Sequence, residues 1–191
     1  MCAFYFDNRS KFQYLLKQMS EQVITLTDIR EEFVSQWGVM GAQWGINRTM
    51  AQIHALLMTS AHALSTDEVM EMLEISRGNA HTNLKDLVGW GLIKITTKKG
   101  ERKEFFEAEK GVWEMFRRIV VERKRREIDP ALAVLRKCRD ESEELRGKDA
   151  EVFHEQMKEL EEFVAFASSM GDRVAGMQHG KAMQLAFKFF S

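Results

Sequence analysis

Apolar residues first fall into a helical register at Leu26, Ile29, Phe33, Trp37, Met40 and Trp44, in steps of three and four. The spacing predicts a helix that opens at Thr27, whose hydroxyl can take a first-turn N–H. Gly45 and Asn47 interrupt it, and a second helix carries Met50, Ile53, Leu57, Ala61 and Leu64 on one face. Stripes of this length are read as core or subunit interface. Residues 1–18 hold Phe4, Tyr5, Phe6, Phe12 and Tyr14 without a period and are read as an arm.

The next segment is punctuated by caps. Ser65-Thr66-Asp67-Glu68 has the residues of a capping box, in which serine and glutamate each satisfy the other's backbone N–H. It opens a short helix from Thr66 to Leu73. After Glu74-Ile75, Ser76 caps another helix that runs to about Trp90. Val69, Leu73, Ile75, Ala80 and Leu84 then form the skeleton of a helix-turn-helix, with Ile75 in the turn. Gly91 ends the second helix. The β-branched run Leu92–Thr97 and the Phe-rich run Lys103–Ala108 flank a polar tip, Lys98-Lys99-Gly100-Glu101-Arg102, whose glycine suits a tight turn. A hairpin directly after a helix-turn-helix is a wing.

Downstream, a helix with Trp113, Phe116 and Val120 on one face is expected from Gly111 to Glu127, and Asp129-Pro130 should stop the chain and restart it, with Asp129 as cap and Pro130 at the first helical position. From Asp149, the residues Phe153, Met157, Leu160, Val164 and Ala167 step by four, three, four and three. That is the narrow seam of a helix hairpin or coiled coil. A weaker amphipathic helix is expected over Val174–Phe190. The fold class is therefore mainly α with one small β-hairpin: a winged helix-turn-helix over 20–110 and a helical dimerisation region over 111–191.

Composition adds less than its distribution. The 191 residues are 45% hydrophobic and 30% charged, which fits a folded domain and excludes a disordered chain. With 28 basic and 29 acidic residues the formal charge is −1, which by itself argues against a nucleic-acid partner. Mapped along the chain, the balance is a cancellation. Residues 76–126 hold fourteen basic and seven acidic side chains, and residues 140–162 hold three and ten. A basic half can face phosphates while an acidic half faces away.

Several chemistries find no support. Cys2 and Cys138 form no framework or thiolate pair and suit a reducing cytosol. No apolar run reaches about 18 residues, so no membrane partner is expected. Met1–Asp7 lacks the basic start of a secretion signal, and a cytoplasmic location is expected. His54, His62, His81, His154 and His179 have no metal-ligand spacing. Neither paired carboxylates nor a nucleophile elbow nor a phosphate loop appears, so no enzyme activity and no cofactor are expected. Trp37, Trp44, Trp90 and Trp113 are read as core, with an aromatic cage for a quaternary ammonium ligand as the alternative.

On a helical wheel, Ala80, Leu84, Leu87 and Val88 point inward from the second capped helix. The candidate DNA-reading set is then Ser76, Arg77, Gly78, Asn79, Thr82, Asn83 and Lys85 on that helix, with Lys98, Lys99, Arg102 and Lys103 on the wing. Arginine can bond two guanine acceptors, asparagine can bond adenine twice, and free N–H groups at a helix start attract phosphate. An arginine at a wing tip can enter the adjacent minor groove. The plain alternatives are a solvated helix face and a hairpin tip that guards a sheet edge. The Arg123–Arg126 run is equally well a phosphate clamp or a solvated face.

The stretches Phe33-Val34-Ser35-Gln36-Trp37-Gly38, Ile75-Ser76-Arg77-Gly78-Asn79-Ala80 and Trp90-Gly91-Leu92-Ile93 resemble the GbsR branch of the MarR-like transcriptional regulators. So do Lys99-Gly100-Glu101-Arg102-Lys103-Glu104-Phe105-Phe106-Glu107-Ala108 and Trp113-Glu114-Met115-Phe116. The similarity runs from roughly Asp28 to Ala133. It implies a prokaryotic homodimeric winged-helix repressor on double-stranded DNA, with a pseudo-palindromic operator and a dimer built from the terminal helices. Beyond the resemblance, relief by a small-molecule effector held between the winged-helix and dimerisation regions is read as an option for such a regulator. Some relatives respond to choline, but no cage matches residue by residue, so the effector's identity does not carry over. The alternative is a winged helix that binds proteins through the acidic seam.

Overall fold

The computed structural model describes residues 24–177. The aromatic arm and nearly all of the helix expected over Val174–Phe190 lie outside them. Helix α1 (Leu26–Gln43) opens on Thr25 rather than Thr27. Thr25 Oγ1 accepts the Asp28 N–H at 3.2 Å while the Asp28 carboxylate accepts the Thr25 N–H at 2.7 Å. Only Thr25 has an acid three residues on, so only Thr25 can close this box. The face of α1 that packs inward runs through Val34, Gly38 and Gly41, and Leu26, Ile29 and Trp44 of the expected stripe are exposed. A Cβ on Gly41 would come within 2.5 Å of Ala51 Cβ, so the glycine sets the approach of the next helix.

That helix, α2 (Arg48–Thr59), is capped by Asn47 and is the most buried element of the core. It stops short of Ala61 and Leu64, which the apolar period had placed on it. Thr59 and Ser60 hydroxyls fold back onto the carbonyls of Ala55 and Leu56. Lys110 Nζ donates to the carbonyls of Leu57, Met58 and Ser60 at 3.0, 2.9 and 2.7 Å. A helix end leaves such carbonyls unpaired, and here one ammonium from 50 residues away collects them. Leu64 belongs instead to strand β1 (Leu64–Ser65), opposite Phe106.

Ser65 then caps α3 (Thr66–Leu73) in the expected box, with its N–H on the Glu68 carboxylate at 2.7 Å. Glu74 takes a left-handed conformation at φ 53° and turns the chain into α4 (Arg77–Gly89), capped by Ser76. Strands β2 (Ile93–Thr97) and β3 (Glu104–Ala108) pair antiparallel with Ile95 opposite Phe106. The hairpin is thus extended by β1 into a three-stranded sheet of order β1-β3-β2. Ile53, Leu57, Val69, Leu84 and Leu87 are the largest fully buried side chains, and they join α2, α3 and α4 into one core.

Past the wing, α5 (Val112–Arg123) does not stop at Pro130. One wide π-turn (Lys124–Ile128) carries it straight into α6 (Asp129–Ser142), and Asp129 is helical at φ −63°, ψ −41° rather than a cap. Proline has no N–H and its ring strikes the carbonyl four residues back, and a turn one residue wider relieves both. Helix α7 (Lys148–Gly176) returns antiparallel along α6. Glu161 of α7 pairs with Arg136, at 3.1 Å, and with Arg139, and His154 Nδ1 lies 3.0 Å from Ser142 Oγ. The less exposed edge of α7 runs through His154, Met157, Glu161, Val164 and Ser168, so the expected seam is met at Met157 and Val164, while its other members Phe153, Leu160 and Ala167 are exposed. No helix among the described residues is long and apolar enough to cross a membrane.

Candidate nucleic-acid interface

Helix α4 presents one face to the core and the other to solvent. Ala80, Leu84 and Leu87 are buried, and Ser76, Arg77, Gly78, Asn79, Thr82 and Lys85 are exposed. His81 shares that outer face with Gly78 and Lys85, three and four residues away, and the sequence reading left it out although the spacing places it there. Ser76 Oγ accepts the Asn79 N–H at 3.4 Å and the Ser76 carbonyl accepts the Ala80 N–H at 2.9 Å. The Arg77 and Gly78 N–H groups are then the first-turn donors the helix does not use. A Cβ at Gly78 would meet nothing within 4 Å, so packing inside the chain does not require the glycine.

Asn83 departs from the expected set. It is 5% exposed, and its Nδ2 donates to the Asn79 carbonyl at 2.8 Å and to Asn79 Oδ1 at 2.7 Å. Its position follows from the wheel, one step from Leu84 and Leu87 on the core side. Asn83 cannot touch a base from there. It orients the exposed amide of Asn79 and occupies one of that oxygen's two lone pairs.

The wing stands beside α4. Gly100, at φ 88°, makes its tip turn, closed by the Glu101 N–H on the Lys98 carbonyl at 3.1 Å. Lys98 Nζ sits 3.8 Å above the Phe105 ring centre, which aligns it along the hairpin. Lys99 and Arg102 are exposed at the tip and, with Lys85, have no ion-pair partner among the described residues. Lys103 and Arg77 do have one, and it is shared. Asp67 of α3 receives Arg77 at 2.5 Å and Lys103 at 3.1 Å, which ties α3, α4 and the wing together at the surface. The Lys103 bond first, then the Arg77 bond, holds the Asp67 carboxyl below its ordinary range. Nothing in the local pattern marks Asp67 beyond its place in a capping sequence, because both partners are distant in the chain.

The Arg123–Arg126 run is spent inside the molecule. Arg125 and Arg126 both pair with Glu122, which is 7% exposed. Arg123 donates to the Trp44 carbonyl and pairs with Glu127 at 3.4 Å, and Lys124 pairs with Asp129 at 2.9 Å and Asp172 at 3.4 Å. Arg123 thereby ties α5 to the end of α1 and Lys124 ties the π-turn to α7, while Arg125 and Arg126 pair within their own helix. Within the basic stretch over residues 76–126, the cations with neither an ion pair nor a hydrogen bond among the described residues are Lys85 of α4 and Lys98, Lys99 and Arg102 of the wing.

Residues 44–103, from the end of α1 to the wing tip, match the sequence model of the MarR family. A crystal structure of a transcriptional regulator superposes on the chain with a TM-score of 0.60 at 17% sequence identity, over 77% of this chain and 95% of that one. No curated protein matches the chain. The segment from α2 through the wing thus has a winged-helix fold, and over residues 44–103 its sequence is similar to the MarR family.

Proposed function

We propose that the chain is a DNA-binding transcriptional regulator, a repressor that holds a pseudo-palindromic operator as a homodimer and is released by a small-molecule effector. The observation that carries the reading is the exposed face of α4, with Arg77, Asn79, Thr82 and Lys85, set beside the uncommitted cations Lys99 and Arg102 of the wing. A helix face with those side chains suits base edges in a major groove, and a cationic wing tip suits the flanking minor groove or phosphates. The stretches around Trp37, Arg77, Trp90 and Arg102 support placement in the GbsR branch.

Surface that one chain leaves uncovered supports the dimer. Phe163 and Phe166 on α7 are 69% and 63% exposed, and Leu26 of α1 is 70% exposed. Phe163 and Phe166 are one helical turn apart, and covering such a pair with a second copy would bury it symmetrically. In that dimer the two α4 helices should sit about 34 Å apart, one turn of B-DNA.

The test is fluorescence anisotropy on a duplex from the chain's own upstream region and on a scrambled duplex, each at several salt concentrations. Specific binding should exceed scrambled binding by at least about 10³ at physiological salt, and Arg77→Ala and Arg102→Ala should each weaken it. Binding that ignores salt, or that both substitutions leave unchanged, overturns the reading and favours a protein-interaction module.

A further inference from the structure

The outer face of α4 has two edges of different chemistry. Arg77, His81 and Lys85 follow one another at steps of four along one edge, and all three are exposed. Each can donate a hydrogen bond, since imidazole carries an N–H in either tautomer. Asn79, Thr82 and Asp86 are exposed along the other edge, where Asp86 is a carboxylate with no ion-pair partner among the described residues. Between the edges Gly78 and Gly89 are bare, and a Cβ on either would meet nothing within 4 Å. Within the regulator reading, on which this inference rests, we propose that His81 is a specificity-determining residue. It donates to the acceptor edge of one guanine in each half-site, and Gly78 lets the helix backbone come close enough for it to do so.

Much of the polar chemistry on this face is already engaged. Arg77 is held by Asp67, Ser76 Oγ is spent on the Asn79 N–H, and Asn83 takes one lone pair of Asn79 Oδ1. His81 makes no hydrogen bond or ion pair among the described residues, and it lies one turn beyond Gly78, nearer the middle of the face than Arg77. Gly78 has no role inside the chain. Its φ is not positive and nothing occupies the space a methyl would take, yet glycine weakens a helix relative to alanine. A helix that keeps glycine there gives up stability for a close approach from outside. Phosphates alone do not account for the face, because the exposed Asp86 carboxylate repels them and gains only from a donor on a base. In the major groove guanine offers two acceptors, N7 and O6, where adenine sets an amino donor beside its N7. A donor that meets O6 therefore accepts guanine and rejects adenine.

The experiment selects duplexes with the full chain from a library whose randomised centre spans about two turns of DNA, and repeats the selection with His81→Ala and Gly78→Ala. Both positions are exposed, so both variants should fold, and Gly78→Ala should melt no lower than the natural chain. The natural chain should select a guanine in each half-site that His81→Ala no longer selects, with the remaining positions unchanged. On the selected duplex, replacing that guanine by adenine should weaken the natural chain about tenfold and leave His81→Ala unaffected. Gly78→Ala should weaken the selected duplex about tenfold and a scrambled duplex much less. A consensus that His81→Ala shares in full, a loss that is equal at every position, or binding by Gly78→Ala as tight as that of the natural chain overturns the proposal. A natural chain that selects no sequence removes the regulator reading and this inference together. One that selects a sequence indifferent to His81 removes the inference alone, so the two failures are distinct.

Discussion

Lys103, where the wing tip enters β3, donates to Asp67 at 3.1 Å across 36 residues of sequence. Arg77, at the start of α4, bonds the other oxygen of the same carboxylate. All three side chains are well exposed, so the pairs contribute little to stability. Their effect is on what the cations are free to do. One acid on α3 holds one cation of the candidate helix and one of the wing against the protein.

Asp67→Asn should therefore tighten binding to any duplex, by roughly three- to tenfold at low salt, and steepen the dependence of log affinity on log salt by up to about two. The melting temperature should barely move. Anisotropy titrations at four salt concentrations check this, and a slope equal to that of the natural chain would sink the idea that Asp67 competes with phosphate.

Asn83→Ala separates orientation from contact. The residue is buried and reaches only Asn79, so its loss frees the exposed amide without removing it. Stability should fall by about 1–2 kcal/mol for the lost hydrogen bonds and the small void. Specific binding should weaken several-fold while scrambled-duplex binding stays the same. Equal losses on both duplexes would show that Asn83 acts through folding alone.

The α1 cap makes a sharper contrast. Thr25→Ala should cost about 1 kcal/mol in denaturant unfolding, because Thr25 Oγ1 satisfies the Asp28 N–H, and Thr27→Ala should stay within about 0.5 kcal/mol. Reversal of that order would restore the cap to the position the apolar stripe suggested.

Those two threonines also show what the sequence could and could not reveal. The helix-turn-helix and wing were legible because their signals are local: Ser65 with Glu68, Ser76 before α4, and Gly100 at the tip each act within three residues. The end of α2 was not, since its carbonyls are satisfied by Lys110 from beyond the sheet while Ala61 and Leu64 keep the helical period going. Pro130 reads as a break in any single sequence, and only the geometry of the turn before it decides between a stop and a π-turn. In the candidate site the same division holds. The wheel found the outer face of α4, but which cations are spent depended on Asp67 and Glu122, whose partners are fixed by packing or by rotamer.

The buried histidine gives the last prediction. Burial lowers the His54 pKa from 6.5 to about 4, so the folded chain keeps the ring neutral where the unfolded chain protonates it. Between those two values the unfolded state binds the extra proton, and stability must fall as the pH falls. The loss attributable to His54 should be fully absent above about pH 7, grow through the window from 6.5 to 4, and level off below it, reaching about 3 kcal/mol. His54→Phe lacks the titrating group, so the difference in unfolding free energy between the two proteins should widen in its favour across that window. Carboxylates that titrate near pH 4 cancel in the difference. Parallel stability curves from pH 7 to pH 4 would mean that His54 is solvated or paired in the folded chain.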